Sequence, residues 1–187
     1  PNKKEWKSKN INGYSSKPIH IKNITSKTID KISSGDKELD RVLGGGIVPG
    51  SLVLLGGEPG IGKSTLLMQV ANSVNGKVVY VSGEESEQQI KLRSERVNKY
   101  ESDCYLLSET NTQTLLTHLD NLNPSLVIID SIQTLYSSLI DSSSGSVGQI
   151  RTCTAELIHY AKQTHTPIFI VGHITKDGSI AGPKVLE

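Results

Sequence analysis

An α/β fold with a mainly parallel sheet and helices on both faces is what this sequence predicts, and three observations carry the prediction. Short apolar runs alternate with helical patterns from Ile32 onward. One run, residues 52–55, enters a glycine-rich turn reading Gly57-Glu58-Pro59-Gly60-Ile61-Gly62-Lys63-Ser64-Thr65. Another, Leu126-Val127-Ile128-Ile129-Asp130, is apolar until it ends in a carboxylate. Such continuous runs suit parallel strands buried on both faces.

The turn fits G-x-x-x-x-G-K-[ST] completely. Glycines let consecutive backbone N–H groups point into one concave nest, and the helix beginning near Lys63 adds the positive end of its dipole. Gly57, Glu58, Pro59, Gly60, Ile61, Gly62, Lys63, Ser64 and Thr65 are therefore the candidate nucleotide-binding residues, with ATP and Mg²⁺ as the expected ligands. Lys63 is placed to meet the β- and γ-phosphates, and the Ser64 hydroxyl to take one position around Mg²⁺, an ion that keeps water and substrate oxygens as ligands. An ordinary strand-to-helix turn would not explain Lys-Ser-Thr after the last glycine. Asp130 is the second metal candidate. A carboxylate at the end of a buried strand is weak on its own; downstream of a complete phosphate loop it reads as the Walker B residue, holding Mg²⁺ through water.

The 187 residues suit one α/β domain with a real core, and a chain that begins at Pro1 is expected to be a piece of something longer. Formal net charge is +1, yet residues 1–32 hold eight lysines against Glu5 and Asp30, so the basicity belongs to this segment. We read residues 1–32 as a basic linker or arm and 33–187 as the nucleotide-binding core. A lysine-rich arm reaches nucleic acid through counterion release, or is simply a solvated linker. Cys104 and Cys153 stand far apart with no Cys or His at metal spacing, which argues against a disulfide scaffold or a zinc site within these residues. No apolar run approaches the roughly 18 residues of a membrane span. The expectation is a reducing cytoplasmic setting with no membrane, or an organelle if a transit sequence lies upstream.

Taken in order, the arm carries at most one short strand near residues 18–24, and its Trp6 is a packing residue rather than a base-stacking one. Residues 36–43 form a short helix with Leu39, Val42 and Leu43 on one face, stopped by Gly44-Gly45-Gly46. Pro49-Gly50 turns the chain into the first strand, 51–55. The helix from 63 to about 75 packs Leu66, Leu67, Val70 and Ala71 on the sheet. Strand 77–82 ends at Gly83-Glu84-Glu85. Ser86 and Gln89 make a capping box for a polar helix to about residue 101, with Ile90 and Val97 inward. Strand 104–107 and helix 111–122 precede the strand ending at Asp130. After the polar stretch 142–146, a helix from 147 to 163 buries Ile150, Leu157, Ile158 and Ala161. The last strand, 167–171, runs into Gly172-His173.

Three stretches give the chain a resemblance. They are Ser34-Gly35 through Leu39-Asp40-Arg41-Val42-Leu43-Gly44-Gly45-Gly46, then Val79-Tyr80-Val81-Ser82-Gly83-Glu84-Glu85-Ser86, then Val171-Gly172-His173-Ile174-Thr175-Lys176-Asp177-Gly178-Ser179-Ile180-Ala181-Gly182-Pro183. Together they resemble the bacterial RadA (Sms) family, RecA-type P-loop ATPases of DNA repair and recombination. The resemblance implies a RecA-like sheet in which the last strand lies between the phosphate-loop strand and the Walker B strand. It also implies Glu84 as the catalytic carboxylate that polarises water, with Glu85 as its rival, and His173 as the sensor of the γ-phosphate. Two family features are absent from this sequence: an N-terminal four-cysteine zinc finger, and a downstream Lys-Asn-Arg-Phe-Gly motif with a Lon-protease-like domain. Zinc therefore enters only with an upstream finger.

In RecA-type proteins the loops corresponding to 142–148 and 175–183 line a DNA channel, which makes Arg151 and Lys176 the candidate DNA contacts. The implied function is a DNA-dependent ATPase coupling hydrolysis to single-stranded DNA binding or branch migration, acting as a ring-shaped homo-oligomer alongside a RecA-type recombinase. A KaiC-like, nucleotide-gated signalling or assembly ATPase that never touches DNA shares the phosphate loop and Walker B carboxylate. His20, His118, His159 and His165 lack ligand spacing and receive no role.

Overall fold

The computed structural model describes residues 18–25, 29–97 and 103–173. Five strands, β1 (Leu52–Gly57), β2 (Val78–Ser82), β3 (Cys104–Leu107), β4 (Leu126–Asp130) and β5 (Ile168–His173), form one sheet in the order β1-β5-β4-β2-β3. Every pairing is parallel. Five α-helices accompany them: α1 (Lys37–Val42), α2 (Lys63–Ser73), α3 (Glu87–Val97), α4 (Thr112–Leu122) and α5 (Val147–Thr164). The last strand does lie between the phosphate-loop strand and β4, the order implied by the resemblance.

Alternation along the strands divides the interior into two layers. Val79, Val81, Val127, Ile129, Ile168 and Ile170 face α4 and α5, where Leu115, Leu119, Ile150 and Leu157 close the layer. Val78, Tyr80, Leu126, Ile128, Phe169 and Val171 face the other way, against Leu67, Met68, Val70 and Ala71 of α2 and Ile90 of α3. Because β2 and β4 are buried along their whole length, their sequences read as unbroken apolar runs.

Several local expectations need correction. Within 18–24 there is a turn of 3-10 helix, Ile21–Asn23, instead of a strand: His20 caps it by accepting from the Lys22 N–H, and among the described residues no strand pairs with it. Val42 is 75% exposed, so α1 turns only Leu39 and Leu43 inward; the six-residue helix is too short to bury a full stripe. Leu66 and Ile158 are only partly covered, while Met68, Cys153 and Tyr160 take the buried positions. Helix α2 stops at Ser73 because Val74 turns extended. Strands β1 and β5 run on to Gly57 and His173, carrying those residues into the sheet itself. Trp6 lies outside the described residues.

Beyond Asp130 the chain is pinned from within. The Gln149 side chain, 1% exposed at the start of α5, accepts from Ser137 N at 2.7 Å and donates to the carbonyls of Ser137, Ile140 and Ser142 at 3.3, 3.3 and 2.9 Å. About two turns further along α5, Glu156 accepts from Thr112, Gln113 and Ser137. The stretch 142–145 is exposed, as its composition implies.

Both cysteines are shielded. Burial, then the nearby Asp103 carboxylate, pushes the Cys104 thiol up to about 11; burial, then Glu156, pushes Cys153 up to about 12. At pH 8 the native protein is therefore expected to resist iodoacetamide, with under about one thiol in a hundred ionised, and to label at both positions once denatured. Mass spectrometry of the native reaction checks this; rapid labelling of Cys153 would contradict the buried placement.

Candidate nucleotide site

The C-terminal edge of the sheet gathers the residues singled out in the sequence. Register does most of it: Gly57 at the end of β1 stands opposite His173 at the end of β5, and Ser82 at the end of β2 stands opposite Asp130 at the end of β4. Ligands of open parallel sheets bind along this edge, where strands hand over to loops.

From β1 the chain turns through Gly57–Gly62 into α2. Gly62, at φ +98°, is the left-handed residue that opens the helix, and a Cβ there would meet nothing within 4 Å, so backbone angle rather than space is what calls for glycine. No side chain caps the helix, which leaves its first N–H groups directed at the loop. Lys63 is 7% exposed and folds back over the turn, its Nζ donating to the Gly57 and Glu58 carbonyls at 2.7 Å each. Ser64 is partly buried, whereas Ile61 and Thr65 are exposed.

After β2, Gly83 permits a close crossing: a Cβ there would come within 2.5 Å of the Thr134 side chain. The two carboxylates that follow point different ways. Glu84 Oε1 accepts from Ser131 Oγ at 2.7 Å and lies 3.4 Å from His173 Nε2. Glu85 instead pairs with Arg93 of α3, and its backbone N–H donates to Ser82 Oγ. Glu84 thus meets Ser131 and His173 at the strand ends, while Glu85 borders, with Thr65 and Arg93, the cavity along α3. His173 Nδ1 is buried with no hydrogen-bond partner among the described residues.

Asp130 is 8% exposed, its Oδ2 accepting from the Tyr80 hydroxyl at 2.6 Å. Arg93 Nη1 approaches the same oxygen at 4.0 Å. Burial first, and then the Asp130 charge and hydrogen bond, push the Tyr80 phenol far above its ordinary range, so it is a donor throughout the physiological span. Beside Thr65 a cavity of about 440 Å³ extends along α3, lined by Glu85, Gln89, Leu92, Arg93 and Arg96. Hydroxyl and carboxylate oxygens, which Ser64 and Asp130 offer, are the hard donors Mg²⁺ takes, and the described residues contain no cluster of three or more His, Cys, Asp or Glu that would form an all-protein metal cage.

Four residues here were not singled out from sequence. Ser131 sits next to Asp130, which is a usable signal. Tyr80 was hidden inside an apolar run, and nothing in the polar helix pattern distinguished Arg93 or, at the start of α5, Gln149. Of the candidate DNA contacts, Arg151 is exposed on α5 just past its Ser146 cap, and Lys176 lies outside the described residues with the rest of 175–183.

Comparison with known proteins fits this geometry. The model of a family described as AAA domain matches residues 17–179. The chain belongs to that AAA family. Among its relatives, a Streptococcus pneumoniae protein named DNA repair protein RadA is 51% identical over 179 residues, 95% of this chain and 43% of that protein. A Listeria monocytogenes protein of the same name is 50% identical over 190 residues, covering 100% of this chain and 42% of the relative. One from Bacillus subtilis is 51% identical over 174 residues, or 91% and 38% of the two chains. The chain thus spans about two-fifths of the length of these curated relatives. The resemblance to RadA is borne out, and the AAA chain has the RecA-like P-loop fold that it implied.

Proposed function

We propose that this chain is the ATP-binding and hydrolysing core of a DNA repair and recombination ATPase. The observation that carries the reading is the meeting of the phosphate loop, Asp130, Glu84 and His173 at one edge of the sheet. Backbone N–H groups of 57–65 and Lys63 bind the phosphates, with Lys63 exchanging its carbonyl partners for phosphate oxygens. The rest of the nucleotide lies in the cavity along α3. Ser64, and Asp130 through water, would hold magnesium, which would supply positive charge against the phosphates. Glu84 orients the attacking water and takes its proton, Ser131 fixes that carboxylate, and His173 senses the γ-phosphate.

The wider reading adds single-stranded DNA bound along 142–148 and 175–183, with Arg151 and Lys176 as phosphate contacts and branch migration as the coupled work. It places the complete gene product in the cytoplasm as a ring, working with a RecA-type recombinase, with residues 1–32 as a linker. No helix among the described residues is long and apolar enough to cross a membrane. ATP turnover by the complete gene product should rise on adding single-stranded DNA. Lys176→Ala should weaken that DNA binding for all sequences alike and reduce its salt slope by about one, with ATP affinity unchanged. Turnover indifferent to DNA, with affinity and salt slope untouched in the variant, would favour the KaiC-like assembly role instead.

A further inference from the structure

Tyr80 occupies the middle of β2, 0% exposed, in the apolar layer with Leu67, Ile128 and Phe169. Phenylalanine would fill that layer equally well, so the hydroxyl needs a reason of its own. Its bond to Asp130 Oδ2 supplies one: the donor comes from a fully buried strand, leaving it no freedom to swing away. Arg93 approaches the same Oδ2 from α3 while its other terminal nitrogen is held by Glu85. Both contacts therefore fall on one carboxylate oxygen. With Oδ2 anchored, the direction of Oδ1 is set as well.

We propose that Tyr80 is a positioning residue for magnesium, fixing the Asp130 carboxylate through Oδ2 so that Oδ1 is presented to the ion's water shell. This rests on reading Asp130 as a magnesium carboxylate. Partners that orient a metal-binding group are commonly worth tenfold or more in metal affinity, because a freely rotating carboxylate must be ordered at the moment of binding. A hydroxyl that merely finds the nearest acceptor would contribute to folding stability alone.

The test measures binding of a fluorescent ADP analogue, first in EDTA and then across a range of free Mg²⁺. Wild type, Tyr80→Phe, Asp130→Asn and the double variant are compared. Tyr80→Phe should keep the affinity seen in EDTA and raise the Mg²⁺ concentration for half-maximal tightening by about tenfold. In the Asp130→Asn background the same change should add nothing. An unchanged Mg²⁺ midpoint in Tyr80→Phe overturns the inference, as does equal loss in EDTA and Mg²⁺, or a full effect persisting without Asp130. If Asp130→Asn itself leaves the Mg²⁺ dependence intact, the magnesium reading of Asp130 fails, and this inference with it. A midpoint moved by Asp130→Asn but not by Tyr80→Phe would remove the Tyr80 role alone.

Discussion

Lys63→Ala is expected to cut ATP affinity by about a hundredfold or more. Lys63 is the one cation inside the phosphate turn, and a hydrogen bond to a charged group contributes about 1.5–3 kcal/mol, so losing contacts to two phosphates amounts to about 3 kcal/mol at least. The fold should survive, since the ammonium bonds only to the Gly57 and Glu58 carbonyls at the sheet edge, not to the core. Calorimetry gives the affinity and a thermal melt the fold. Unchanged affinity in a normally folded variant would remove residues 57–65 from the nucleotide site.

Glu84→Gln separates binding from chemistry. Glutamine keeps the shape and can still pair with Ser131 Oγ, but it cannot accept a proton from water, so turnover should fall by about 10²–10⁴ with ATP affinity unchanged. The neighbouring change Glu85→Gln acts through a different partner: it weakens the pairing with Arg93 at the side of the cavity and should cost far less turnover. Steady-state kinetics on the two variants decide between them. If Glu85→Gln produces the large loss and Glu84→Gln the small one, the roles of the two carboxylates are exchanged.

The sheet was legible because parallel strands buried on both faces write themselves as unbroken apolar runs, and β2 and β4 are such strands. The phosphate loop was legible because its glycines answer to local backbone geometry, as Gly62 does at φ +98°. What escaped notice depends on distant pairing. Tyr80 looks like any core aromatic until β4 brings Asp130 beside it, 50 residues on. Arg93 looks like any charge on a polar helix until α3 packs over the strand ends. Val42 erred in the opposite sense: its spacing suited a buried face, but six helical residues left it no surface to cover. Glu84 and Glu85 are told apart by distant partners, Ser131 and His173 for one and Arg93 for the other, which no local pattern contains.

Gln149 gives the region after Asp130 an unusual division of labour. Its amide holds the backbone of Ser137, Ile140 and Ser142, so that grip does not depend on the side chains of Ile140 and Ser142, while the Ser137 hydroxyl adds its own bonds to Gln113 and Glu156. A loop fastened this way behaves like an interchangeable tool in a fixed chuck. The exposed side chains of Ser143 and Ser144 take no part in that grip, whereas Gly145, at φ +75°, is held to glycine by its backbone angle. One buried amide thereby fixes the path of the backbone while leaving the outward side chains of Ser143 and Ser144 uncommitted.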